Sequence, residues 1–134
     1  MARPGVSGEI AQVKPRFADL MYAMRIECSK QAGVELVRPQ GLLVGADADA
    51  LESKVQQLFD AGGREVIIDM SGIALVDSCG LETLLNLAER QIRNGRSLKL
   101  AGATPVLQEV LELTELAPLF QCYRDVEAAV EGMA

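Results

Sequence analysis

Histidine is absent from the 134 residues. Without it there can be no Ser-His-Asp triad, no Cys-His dyad and no His-ligated metal centre. Cysteine occurs three times, at Cys28, Cys79 and Cys122, with no CxxC pair. An odd, scattered set is a poor disulfide framework and reads as reduced thiols, so a cytoplasmic location is expected. No run approaches the ~18 apolar residues of a membrane span, and the opening stretch Met1 to Gly8 lacks the apolar core of a signal peptide. Basic residues are in the minority, 13 against 19 acids, for a net charge of -6. That balance argues against direct nucleic-acid binding, which needs a basic footprint.

What is present is an ordinary globular composition, 49% hydrophobic and 24% charged. A chain of this length buries about two-thirds of its unfolded surface, enough for one domain with its own core. Residues 1–20, with Pro4, Gly5, Gly8 and Pro15, read as a flexible leader, and 21–134 as the domain. Alternation over Met24–Cys28 predicts a strand, Gln31–Gly33 a turn, and Val34–Val37 a second strand of a hairpin. Leu42–Val44 predicts a short third strand. Asp49 with Glu52 predicts a capping box opening a helix whose face is Leu51, Val55, Leu58 and Phe59, ended at Gly62-Gly63. Glu65–Met70 is β-branched and apolar, as a strand covered on both faces should be.

Leu81, Leu84, Leu85, Ala88 and Ile92 mark a second helix, closed by Asn94-Gly95. Ser97–Ala101 is the next strand. Thr104 caps a third helix with Pro105 in its first position and Val106, Leu107, Val110 and Leu111 on one face. A last short helix starts at Asp125, with Val126, Ala129, Val130 and Met133 on one side. The expected fold is therefore α/β, a small mixed sheet with helices packed on it, and a parallel crossover through the second helix.

The informative segment lies between Met70 and Leu81. Ser71–Val76 carries the chain as a loop off the carboxyl end of a strand, where open α/β sheets place functional loops. Asp77-Ser78-Cys79-Gly80 then opens a helix, whose first N–H groups lack partners and carry the positive end of the macrodipole. A hydroxyl or phosphate finds donors there, and Gly80 keeps a side chain out of their way. Asp77 or Ser78 can equally be no more than the N-cap.

Val66-Ile67-Ile68-Asp69-Met70-Ser71-Gly72, three apolar positions, then Asp77-Ser78-Cys79-Gly80-Leu81 resembles the signature of STAS domains, most closely the anti-sigma-factor antagonists. Gly95–Leu100, Thr104-Pro105 with Val110–Thr114, and Leu116–Phe120 are similar to later parts of that pattern, so the resemblance covers roughly residues 24–131. It implies that Ser78 is phosphorylated, with Asp77 its characteristic neighbour. It further implies a binding protein in a bacterial cytoplasm. Its partner is an anti-sigma factor with serine-kinase activity, released when Ser78 is modified. Ser71, Ile73, Val76, Asp77, Cys79, Gly80, Leu81 and Glu82 would form the partner surface around it. Two positions depart from the pattern: Cys79 stands where the family has a second serine, and Val44 where it often has an acid.

The resemblance also allows an alternative, an accessory subunit that docks on a membrane transporter for lipids or anions and needs no phosphorylation. Independent catalysis is not expected. Val76 fills the first glycine position of a nucleophile elbow, no histidine can act as base, and no phosphate-binding glycine loop opens a helix. No cofactor or metal is expected, since Asp69 and Asp77 are explained as strand-end and capping residues. Cys79 fits either as a redox-reactive thiol or as a filler of a serine-sized space. Cys28 and Cys122 read as buried strand positions. Glu109, Glu112 and Glu115 form an acidic line, read as a solvated face or a seat for a basic partner. Arg90, Arg93 and Arg96 suit the end of the second helix.

Overall fold

A computed structural model describes residues 24–132. The expected leader over 1–20 and the Met133 end of the last helix lie outside the described residues. The chain opens with strands β1 (Arg25–Gln31) and β2 (Val34–Leu43), paired antiparallel. The turn between them is Ala32-Gly33, both at positive φ (56° and 80°). A two-residue turn of this hand matches the twist of the strands it joins, and glycine takes the second position without strain.

The strand expected separately over Leu42–Val44 is the far end of β2, which runs on through Pro39. Proline suggests a break, yet Pro39 falls where the second neighbour of β2 changes. Strand β3 (Val66–Asp69) lies beside Glu35–Val37, and β4 (Ile73–Val76) lies beside Gly41–Leu43. Pro39 sits in the gap between those ladders, a place where a strand tolerates a missing N–H.

Strand β4 itself occupies the stretch expected to be a loop. The Asp69 carboxylate accepts the Ser71 N–H at 3.0 Å and the Ser71 hydroxyl at 2.7 Å. That bends Met70–Gly72 into a single 3-10 turn, after which the chain resumes as strand along β2. Four apolar residues are too few to show a period, which is why pattern reading misses them.

Strands β5 (Leu98–Ala101) and β6 (Phe120–Tyr123) complete the sheet in the order β1-β2-β3-β5-β6, with β4 paired to β2 off this path. Pairing of β3 with β5 is parallel, as the crossover requires. Helices α1 (Gly45–Asp60), α2 (Ser78–Arg93) and α3 (Pro105–Leu113) share one core with one face of the sheet. There Leu51, Val55, Leu84, Leu87, Leu107 and Leu111 meet Val66, Ile68, Leu98 and Leu100. The short α4 (Val126–Glu131) lies on the other face, where Ala129 packs with Val34, Leu36, Ile67 and Ala101. Alternate residues of β3 thus enter different cores, which explains its unbroken apolar run.

Two helix faces differ from expectation. In α2 the buried set is Gly80, Thr83, Leu84, Leu87, Ala88 and Gln91, while Ile92 is exposed. The true face includes two polar residues whose hydrogen bonds are satisfied. Thr83 Oγ1 donates to the Ala48 carbonyl at 3.1 Å, and Gln91 Nε2 donates to the Arg64 carbonyl at 3.0 Å. An apolar count cannot see such positions. In α3, Thr104 caps as expected, accepting the Leu107 N–H at 3.2 Å, but Val106 points to solvent.

Cys28 and Cys122 are both exposed rather than buried. They sit on β1 and β6, the two edges of the sheet, where one neighbour is missing. The surrounding protein still desolvates each sulfur enough to push its pKa up. At Cys28 Lys54 opposes that rise and Glu35 adds to it.

Candidate functional site

Asp77 is the N-cap of α2, in extended backbone at φ -100° and ψ -171°. Its Oδ1 accepts the Gly80 N–H at 2.9 Å. Its Oδ2 accepts the Gly45 N–H, the first of α1, at 3.2 Å. One carboxylate therefore holds the N-termini of two helices, and both macrodipoles point their positive ends at it. The backbone supports the same junction, since the Asp77 N–H donates to the Leu43 carbonyl at 3.3 Å.

This arrangement accounts for the two misread features of α1. The helix begins at Gly45, so Asp49 lies inside it and forms no capping box with Glu52. Val44 is the N-cap and has no side-chain acceptor to offer. The acceptor comes from Asp77, 32 residues further along the chain. Glu52 instead faces α2, where its carboxylate accepts from Asn86 Nδ2 at 3.4 Å.

Ser78 is the first residue of α2 and is exposed. Among the described residues its hydroxyl has no hydrogen-bond partner. Cys79 and Glu82 are exposed beside it, while Leu81 is half-buried against the core. Gly80 is buried. A Cβ there would run into the Leu43 carbonyl oxygen and lie 2.8 Å from Val76 Cγ1. Its glycine is thus required by the packing of α2 on the end of β2, rather than by access to backbone donors.

The remaining expected site residues are spread along β4. Val76 is half-buried next to the Asp77 cap, and Ile73 is buried. Ser71 is exposed at the opposite end of β4, bonded to Asp69, whose other oxygen lies 3.4 Å from Arg38. The structure therefore gathers Val76 to Glu82 in one place and leaves Ser71 in another.

Pattern reading missed an apolar surface between β4 and α3. Leu75 of β4 is 56% exposed and Val106 of α3 is 71% exposed. Together with Ile73, Val76, Leu107 and Val110 they line a cavity of about 220 Å³ between β4 and α3. A signal was available. Val106, Val110 and Leu113 repeat at i, i+4 and i+7, a second apolar stripe on α3 beside the buried Leu107 and Leu111.

Comparison with known proteins places this geometry. The STAS domain family model matches residues 25–129. The Bordetella bronchiseptica protein BtrV, named for anti-sigma factor antagonism, is 27% identical over 106 residues, covering 79% of this chain and 91% of that protein. An anti-sigma factor antagonist from Mycobacterium paratuberculosis superposes with a TM-score of 0.74 at 21% identity, over 82% of this chain and 93% of that one. The Bacillus cell fate determinant SpoIIAA in its phosphorylated form superposes with a TM-score of 0.66 at 15% identity, over 82% of this chain and all of that one. With its mixed sheet, its Asp77-capped helix and a family match over most of its length, the chain belongs to the STAS domain family.

Proposed function

We propose that the protein is an anti-sigma-factor antagonist of the bacterial cytoplasm. It binds an anti-sigma factor that is itself a serine kinase, and it lets go when that kinase phosphorylates Ser78. The observation that carries the reading is the exposed, unbonded Ser78 hydroxyl at the capped N-terminus of α2. The relationship to BtrV supports the same assignment.

The chemistry suits a switch that acts on binding and spares the fold. A phosphate adds about -1.5 to -2 charges at neutral pH. At Ser78 it meets the positive end of α2, so the helix tolerates it. The same charge, next to Asp77 and inside a contact surface of Val76, Cys79, Leu81 and Glu82, disrupts a neighbour that fitted the neutral serine. The partner supplies the phosphoryl-transfer chemistry, and this chain is its substrate. Val44 stands where the family often has an acid, and the Gly45–Asp77 hydrogen bond explains how α1 starts without one at that position.

The test is binding of purified variants to the cognate kinase. Ser78→Ala is expected to bind like the unmodified protein and to stay bound in the presence of ATP. Ser78→Asp is expected to bind at least about tenfold more weakly, the scale of one disrupted charged contact. Equal binding by both variants and wild type, with and without ATP, would remove Ser78 from the switch.

A further inference from the structure

Strand β1 is the least covered element of the fold. Among the described residues β2 is the only element in broad contact with it, and six of its seven residues are exposed. The helix layer ends with α1, which reaches β2 and α2 without broad contact to β1. Yet the side of β1 that faces this layer starts apolar. Met24, just before the strand, and Ile26 are half-buried against the main core, as is Leu58 of α1. Cys28 follows on the same side, by the two-residue period of a strand, and is exposed. Lys30 closes the row, 3.5 Å from Glu35. The result is an apolar shelf beside α1, partly covered at Ile26 and bare at Cys28.

The residues that precede Met24 fit this shelf. Phe17, Leu20, Met21 and Met24 stand at i, i+3, i+4 and i+7, the spacing of one helical face, with Asp19 on the opposite side. Pro15 falls where a first helical turn accepts proline. The last of the four, Met24, already packs on the core, so its stripe points to the shelf. Lengths agree as well. Leu20 and Phe17 lie about 6 and 10 Å back from Met24 along a helix. Ile26 and Cys28 lie about 7 and 13 Å onward along the strand. Only Ala23 stands between such a helix and Met24. So short a tether sets an effective concentration on the order of millimolar, which favours this segment over a second copy or a separate protein.

We infer that residues 15–22 fold back as a short helix on the α1 side of β1. Leu20 and Met21 then cover Ile26 and Leu58, and Phe17 covers Cys28. The helix layer extends by one member over the edge strand, and the Cys28 thiol is shielded there. This docking is independent of the function proposed above.

The test is a methyl NOE measurement on the full chain, labelled at Met, Leu and Ile. Cross-peaks are expected from Leu20 and Met21 to Ile26 and Leu58. Their absence, while Ile68 and Leu100 of the core give theirs, overturns the inference. Cross-peaks that fade on dilution place the segment of a second copy on the shelf, and also overturn it. Alkylation by N-ethylmaleimide, mapped by peptide mass, gives a second readout. Phe17→Ser is expected to speed the reaction of Cys28 about fivefold and to leave Cys122 unchanged, since thiol reactivity follows exposure. Leu20→Asp is expected to do the same and to remove the cross-peaks of Met21. An unchanged Cys28 in both variants, or an equal change at Cys28 and Cys122, overturns the inference.

Discussion

At the scale of single residues, Asp77 carries more of the structure than its neighbour Ser78. It caps α2 at Gly80 and supplies the acceptor that Val44 cannot give to Gly45 of α1. Asp77→Ala should therefore cost about 2 kcal/mol, the upper end of the range for a lost cap. Asp77→Asn should cost about half as much, because an amide has one oxygen and can accept fully at only one of the two helices. Urea denaturation of the three proteins checks the order, and equal stability of Asp77→Asn and wild type would refute the shared cap. Ser78→Asp should leave stability unchanged or raise it by up to about 1 kcal/mol, since a negative charge suits a helix N-terminus. The sequence left the cap open between Asp77 and Ser78, and the structure assigns it to Asp77. The sequence could not show the second hydrogen bond, because Gly45 and Asp77 meet only after β3 and β4 are both laid beside β2.

At the scale of elements, the strands and helices whose ends carry their own signals were legible. The Ala32-Gly33 turn, the Thr104-Pro105 start of α3 and the Asp125 cap of α4 are local chemistry, visible in a few adjacent residues. Elements defined by partners were not legible: β4, the run of β2 through Pro39, and the start of α1. Strand β5 shows the same dependence on surroundings. Lys99 points to the face that α4 covers only in part; it is 7% exposed, with its ammonium 2.9 Å from Glu65. Removing that charge with an apolar residue of similar length is nearly neutral, whereas removing its partner leaves a poorly solvated ammonium. Lys99→Met should thus change stability by less than about 1 kcal/mol, and Glu65→Ala should cost about 2 kcal/mol, reduced from the fully buried case because Glu65 is partly exposed. Thermal melts of the two variants decide this, and a larger loss for Lys99→Met than for Glu65→Ala would contradict it.

At the scale of the whole molecule, the closed core and the exposed apolar residues lie in different places. Helices α1, α2 and α3 share a closed core with the sheet, while Ser78, Cys79 and the apolar Leu75 and Val106 are exposed outside it. Family membership was legible because the motif from Val66 to Leu81 combines a buried strand, a turn and a capped helix, each demanding particular residue types. The cavity beside β4 was not, because it arises only where β4 and α3 meet. The switch itself is tested most directly by intact-mass spectrometry with peptide mapping of the protein isolated from its native cells, across growth and stress conditions. The account predicts one phosphate, on Ser78, whose occupancy changes with condition. No phosphate under any condition, or a phosphate confined to Ser71 at the other end of β4, would contradict it.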